Sequence, residues 1–199
     1  MRRAIDQFEN NIVRVRALGG LFQALDGLTT PAVDATDILR AQTVMAVSAL
    51  DHYVHELTLL GMLEIYSGVR AATPAYLRFE TPVGTALTGV TAGGTAWFEA
   101  VIREKHGFLS FQHPDKVSAA IRLFSPCKLW PTVAAAMGTD AAQLKTRLRL
   151  VVDRRNKIAH EADLDPSYPG VRWPISKLDA SGVVDFVYEL CHQIHAATV

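Results

Sequence analysis

The longest uninterrupted helical pattern in the chain is TDILRAQTVMAVSALDHYVHELTLLGMLEIY, residues 36–66. Its apolar residues recur at spacings of three, four and seven, which places them on one stripe of a helix. Ser67-Gly68 ends the pattern. The stripe comprises Leu39, Ala46, Leu50, Tyr53, Leu57 and Leu60. The stretch therefore predicts one long amphipathic helix that packs in a helical bundle.

Helical patterns also cover most of the remaining sequence. A first helix is predicted over 4–28, weakened or kinked at Gly19-Gly20 and stopped at Thr29-Thr30-Pro31. Later helices are predicted over 95–105, 115–124 and 131–137, from Thr139 or Asp140 to His160, and over 179–197 with Val183, Phe186, Val187, Leu190 and Ile194 inward. We expect an all-α bundle, with residues 1–199 forming a single domain.

The segment 69–94 differs in composition, because it is rich in Gly, Pro and Thr. It is predicted to be a long irregular connection between the second long helix and the later helices, with room for one short helix. Such length marks a possible binding loop or insertion. The aromatic residues beyond it do not interleave with a basic run, so core packing is favoured over base stacking. They are Phe108, Phe111, Phe124 and Trp130.

Composition limits the possible partners and the compartment. Twenty Lys and Arg balance twenty Asp and Glu among 199 residues, so any nucleic-acid binding must use a local patch. Cys127 and Cys191 form no C-x-x-C pair, which favours a reduced cytoplasmic protein over one with a lone disulfide. No apolar run reaches the length of a membrane span, and residues 1–6 lead into no signal peptide, so no membrane partner is expected.

Most of the potential chemistry is concentrated in Arg155-Asn156-Lys157-Ile158-Ala159-His160, at the end of a predicted helix. A guanidinium, an amide and an imidazole are groups that can bind a phosphate and move protons around it. Arg155 falls within the apolar stripe of this helix, where a guanidinium needs a carboxylate, a phosphate or a water-filled cleft. His160 lies about 140° away around the helix. The two converge only through the arginine's reach, through the helix ending near His160, or through a second subunit.

The same helix is biased toward basic residues. Arg147, Arg149, Arg154 and Lys157 are candidates for contact with an RNA backbone. A solvated face is an equally good explanation, since a helix C-terminus favours cations.

The motif resembles the R-x4-6-H motif of HEPN domains, a helical superfamily rich in metal-independent ribonucleases. The resemblance extends over 152–163, a Pro/Gly loop, Trp173-Pro174-Ile175-Ser176 and the final helix. Upstream, Ala46-Val47-Ser48-Ala49-Leu50-Asp51-His52-Tyr53 resembles the earlier helix of the family. The arrangement is similar to the RiboL-PSP type of HEPN domain.

This resemblance implies roles for individual residues. Arg155 and His160 correspond to the catalytic pair, and Asn156 to the polar residue that often follows the arginine. Asp51 matches an acidic position and is expected to pair with Arg155 or His160, with Ser48 in support. Alternatively, Ser48, Asp51, His52 and His55 form an ordinary hydrogen-bonded or solvated ridge.

The function that the resemblance implies is a metal-independent endoribonuclease without cofactors. The 2′-hydroxyl of RNA attacks the phosphate and leaves a 2′,3′-cyclic phosphate, in a cleft shared by two protomers of a homodimer. The implied settings are defence, stress response or a toxin–antitoxin pair with an antitoxin or regulatory partner. Ala162 stands where some toxins carry a modified tyrosine, so that regulation is not expected.

Two other functions remain open from the residues themselves. One is a non-catalytic module that binds RNA, a nucleotide or a protein partner. The other is a metal-dependent enzyme that uses His52-x-x-His55 and His192-x-x-His195, although neither has the H-E-x-x-H form. Cys191 is expected to be a core residue rather than a nucleophile.

Overall fold

A computed structural model describes residues 1–28, 30 and 33–199 of the chain. The described residues form eight α-helices and one 3-10 turn, and they include no strand, which confirms the predicted all-α fold. The predicted stop signal lies mostly outside them, because Thr29 and Pro31 are not described. The helices are α1 (Arg2–Leu28), α2 (Thr36–Tyr66), α3 (Val83–Ala92), α4 (Ala96–His106), α5 (Pro114–Arg122), α6 (Leu129–Ala136), α7 (Ala141–His160) and α8 (Lys177–Thr198).

Helix α2 lies at the centre of the bundle and packs against α1, α4, α5, α7 and α8. Its predicted stripe is buried: Leu39, Ala46, Leu50 and Leu57 are fully inaccessible, and only Leu60 is partly exposed. Burial of this stripe removes apolar surface from water, which is the main stabilising contribution to such a fold. Cys191 of α8 is buried in the same core, as predicted.

Helix α1 continues without interruption through Gly19 and Gly20, where the sequence predicts a weak point. A Cβ atom at Gly19 would lie 2.8 Å from Nε2 of Gln42 on α2. The glycine thus allows the two helices to approach closely. Tertiary packing offsets its propensity cost of about 1 kcal/mol.

The segment 69–94 is more regular than its composition predicts. It contains the 3-10 turn Tyr76–Arg78 and the ten-residue helix α3. A side chain at Gly89 would overlap the indole of Trp97, so the backbone of α3 at Gly89 packs directly against the Trp97 ring of α4. The helix depends on this contact rather than on local propensity, which is why its Gly and Thr content conceals it.

One aromatic residue departs from its predicted place in the core. Phe111, Phe124 and Trp130 are buried, as expected, but Phe108 is 93% exposed. It lies in the connection after α4, where the next turns direct Phe111 inward instead. Among the described residues, no helix combines the length and hydropathy that a bilayer crossing requires.

Candidate functional site: the end of α7

The motif lies on the last two turns of α7. The helix begins at Asp140, whose carboxylate accepts hydrogen bonds from the backbone N–H groups of Ala142 and Gln143, both at 2.8 Å. It remains helical through His160. The end of the helix therefore does not bring His160 toward Arg155, and their separation of about 140° persists. Of the three predicted ways to converge, the arginine's reach and a second subunit remain.

Arg155 carries a charge that no carboxylate in the described part of the chain neutralises. It is half-buried, and no described Asp or Glu forms an ion pair with it. Its Nη1 donates to Oδ1 of Asn156 at 3.1 Å, while its Nε is buried without an acceptor. A partly desolvated guanidinium without a carboxylate partner is suited to binding an anion.

The polar residues beside Arg155 face an open cleft of about 560 Å³. Nζ of Lys157 lies 5.3 Å from the centroid of the Trp173 ring, within range of a cation–π contact. His160 is exposed, and its side chain forms no hydrogen bond or ion pair with another described residue. The cleft is lined by Leu150, Asp153, Arg154, Asn156, Lys157, Glu161 and Trp173.

A buried ion-pair network fixes the end of α7. Asp163 is fully buried, and its carboxylate pairs with two guanidinium groups. Nε of Arg40 lies 2.7 Å from Oδ2, and Nη1 of Arg154 lies 2.6 Å from Oδ1. Arg40 also donates to the carbonyl oxygen of Trp173 at 2.9 Å and to the hydroxyl of Thr36 at 2.6 Å. The network thus joins the start of α2, the last turns of α7 and the chain beyond.

Asp163 reaches this position through an unusual backbone turn. Ala162 and Asp163 have φ values of 51° and 59°, the left-handed region that costs non-glycine residues about 1–2 kcal/mol each. The turn reverses the chain, so that the Trp173 N–H donates to the Asp163 carbonyl at 2.8 Å. The segment 161–176 consequently folds back on the motif.

Sequence reasoning missed both Arg40 and Asp163 as residues that position the site. The available signal for Arg40 was its spacing from Thr43 and Val47, which puts it on a buried face of α2. A buried arginine at the end of such a face needs a carboxylate partner. Nothing local in the sequence identifies Asp163 as that partner.

The structure does not bring the two predicted α2 residues to the motif. The carboxylate of Asp51 accepts hydrogen bonds from Phe111 N at 2.5 Å and Gln112 Nε2 at 3.1 Å. The predicted pairing of Asp51 with Arg155 or His160 is therefore wrong within one chain, because this face of α2 meets the α4–α5 connection. The hydroxyl of Ser48 donates to its own helix and lies in a groove beside α1.

The predicted RNA-binding residues differ in availability. Arg154 forms an ion pair with Asp163 and donates a hydrogen bond to the carbonyl oxygen of Pro174. The guanidinium of Arg147 lies 4.3 Å from the centroid of the Phe186 ring. Arg149 and Lys157 form no ion pair with a described residue. These two are the cations of α7 best placed to contact a phosphate backbone.

The helix histidines are engaged separately and do not converge. His195 pairs with the Tyr53 hydroxyl at 3.2 Å, and His192 lies 3.4 Å from a Glu9 carboxylate oxygen. His55 bonds the Leu109 carbonyl at 3.2 Å. No group of three or more His, Cys, Asp or Glu in the described part of the chain could hold a metal ion.

The end of α7 can bind an anion at Arg155 and exchange a proton at His160. Arg155 and His160 lie on different faces at the end of α7, and the ion pairs of Asp163 hold this end in place. Comparison of the chain with protein-family models, with curated proteins and with solved structures finds no match.

Proposed function

We propose that this protein is a metal-independent endoribonuclease of the HEPN type that acts as a homodimer. The observation that carries the proposal is the guanidinium of Arg155, which lacks a carboxylate and lies beside Asn156 on the same helix as an exposed His160. A phosphate would supply the missing counter-charge of this guanidinium.

The residue types support a balanced reaction on RNA. The 2′-oxygen attacks the adjacent phosphorus, the bond from phosphorus to the 5′-oxygen breaks, and the products carry a 2′,3′-cyclic phosphate and a 5′-hydroxyl. One imidazole accepts the proton of the 2′-hydroxyl, and a second donates a proton to the leaving 5′-oxygen. Arg155 stabilises the charge that develops on the phosphate. A homodimer supplies both imidazoles as two copies of His160.

The separation of Arg155 and His160 favours a shared site. A second chain can present its own His160 to a phosphate held by Arg155, and this does not depend on the reach of the arginine around the helix. Leu150 is 65% exposed and lines the same cleft as Asn156 and Lys157, so an apolar contact is available beside the motif. In such a dimer Lys157 and Arg149 contact flanking phosphates.

The resemblance to HEPN domains supports a cytoplasmic role in defence, stress response or a toxin–antitoxin pair. The second candidate function is a non-catalytic module that binds RNA, a nucleotide or a protein partner. The divergence of Arg155 and His160 in one chain favours this alternative, because Arg155 and Asn156 alone suffice to hold a phosphate.

The first experiment incubates the purified chain with total RNA and with tRNA in EDTA. Arg155→Ala and His160→Ala are expected to abolish cleavage, since each removes a group that acts on the scissile phosphate. Arg14→Ala and His52→Ala are matched controls, because both residues are exposed helix residues without ion pairs to described residues. The products of the unaltered chain should carry 2′,3′-cyclic phosphate ends.

A mixture of unaltered chains with His160→Ala chains tests the shared site. Activity should fall as the square of the unaltered fraction, because a mixed dimer keeps only one of the two imidazoles that the reaction needs. A folded, dimeric, unaltered chain that binds RNA through Arg155 without cutting it would instead establish the binding module. Cleavage that EDTA abolishes would reject both in favour of a metal enzyme.

A further inference from the structure

A second cavity, of about 520 Å³, lies far along the chain from the motif, between residues 73–78, the end of α5 and the start of α6. Arg78, Arg122 and Lys128 line it, and no Asp or Glu does. None of these three side chains forms an ion pair or a hydrogen bond with another described residue. The chain as a whole has no net charge, so this cluster does not reflect a general basic excess.

A buried threonine joins the two backbone segments that carry Arg78 and Arg122. The Thr73 hydroxyl lies 2.9 Å from the carbonyl oxygen of Arg122 and 3.0 Å from that of Leu123. The same oxygen accepts a hydrogen bond from the Tyr76 N–H at 3.0 Å. The turn that carries Arg78 is therefore fixed against the end of α5, which carries Arg122.

The rest of the lining suits an organic anion. The positive end of the α6 dipole reaches the cavity at Leu129 and Trp130. Ser118 and Ser125 also line it. The remaining wall is apolar, and the volume lies within the range of small-molecule sites. That wall includes Pro74, Pro126, Leu129, Trp130 and Pro131.

We propose that this cavity binds a small molecule with a polyphosphate group, of the chemical class of nucleoside di- and triphosphates. Three cations balance three negative charges, as on a nucleoside diphosphate, and most of the four on a triphosphate, whereas a single phosphate leaves at least one cation unmatched. The apolar wall accommodates a flat ring. A helix C-terminus by itself favours one cation, which accounts for Arg122 but for neither Arg78 nor Lys128. The proposal also gives the segment that carries Thr73 and Arg78 a function as a binding loop.

Cys127 provides a direct readout of occupancy. It lines the cavity and is partly exposed, while Cys191 is fully buried. A thiol reagent added to the folded chain should therefore modify Cys127 first. Pyrophosphate and ADP are expected to slow this modification at least tenfold at saturation, whereas adenosine should leave it unchanged.

Substitution of the cationic residues tests whether they bind ADP. Arg78→Ala and Arg122→Ala should each weaken ADP binding about tenfold to a hundredfold in calorimetry, the effect of losing one charge-assisted hydrogen bond. Lys116→Ala is the matched control, because Lys116 is exposed on α5 but does not line the cavity. Protection of Cys127 reports on this cavity and not on the motif, because Cys127 lines the cavity.

Several results would overturn the proposal. One is that neither pyrophosphate nor ADP protects Cys127 at millimolar concentration. Another is that Lys116→Ala weakens ADP binding as much as Arg122→Ala does. Protection by tRNA alone would assign the cavity to an RNA backbone. Because Arg78 and Arg122 are exposed residues on different elements, misfolding of one variant leaves the other as a test.

Discussion

Replacement of Asp163 by alanine should destabilise the whole chain strongly. The substitution removes the carboxylate shared by Arg40 and Arg154, whose side chains are only 8% and 23% exposed. Loss of one partner from a buried ion pair costs about 3–5 kcal/mol, because the remaining charge stays desolvated. The left-handed backbone at this position is unfavourable for alanine by about 1 kcal/mol more. We expect a total loss of about 4–6 kcal/mol.

The assay is urea denaturation followed by circular dichroism, with thermal unfolding as a second probe. For a chain of this size each kcal/mol lowers the melting temperature by about 2–4 °C, so a decrease of roughly 8–24 °C is expected. Asp163→Asn should lose less, since asparagine tolerates the left-handed region and still accepts a hydrogen bond. Asp185→Ala is the control, because its ion pair with Arg16 is exposed and contributes about 0–1 kcal/mol.

The reasoning would be refuted if the free energy of unfolding of Asp163→Ala lay within 1 kcal/mol of that of the unaltered chain. It would also fail if Asp185→Ala and Asp163→Ala were equally destabilised. Either result would mean that the two guanidinium groups find other partners, and that the network does not fix the end of α7.

Three further predictions concern other parts of the bundle. Gly61→Ala should cost about 1–3 kcal/mol in urea denaturation, because its Cβ would overlap the ring of Phe124; a neutral result would mean that the ring moves freely aside. Burial lowers the pKa of His106 to about 4, so between pH 6.5 and 4 the unfolded chain binds a proton that the folded chain does not. Stability should fall by up to about 3 kcal/mol as the pH decreases through that window, and His106→Gln should remove this part of the dependence; an unchanged pH profile would contradict the assignment. Asp51→Ala should cost about 1–3 kcal/mol and speed amide exchange at Phe111, whose N–H loses its acceptor; unaltered exchange there would argue against the contact.

The helical framework was predictable because its signals are local. The periodicity of α2 and the caps at Asp140 and Ser176 depend on residues a few positions apart. Helix α3 was not predicted as a full helix, since its stability depends on Trp97 packing against Gly89. Phe108 and Phe111 are three residues apart, and only their contacts with other elements distinguish the exposed ring from the buried one.

The motif was visible in the sequence for the same reason, because Arg155, Asn156 and His160 lie within two turns. Its surroundings were not, since Arg40 and Asp163 are separated by 123 residues. Within one chain Asp51 bonds Phe111 and Gln112 instead of the motif, because a sequence shows that a helix carries an acid, but not which neighbour its face meets. The ribonuclease function itself stays a proposal.

The turn at Ala162 and Asp163 also determines where the chain tolerates added residues. Its two anchors, Asp163 and Trp173, lie on either side of residues 166–170, which are all exposed. A peptide tag inserted within 166–170 would extend into solvent and leave both anchors paired. An insertion of one residue between His160 and Asp163 would instead move the carboxylate out of reach of Arg40. Residues 166–170 are therefore a site for labels, and residues 161–163 are not.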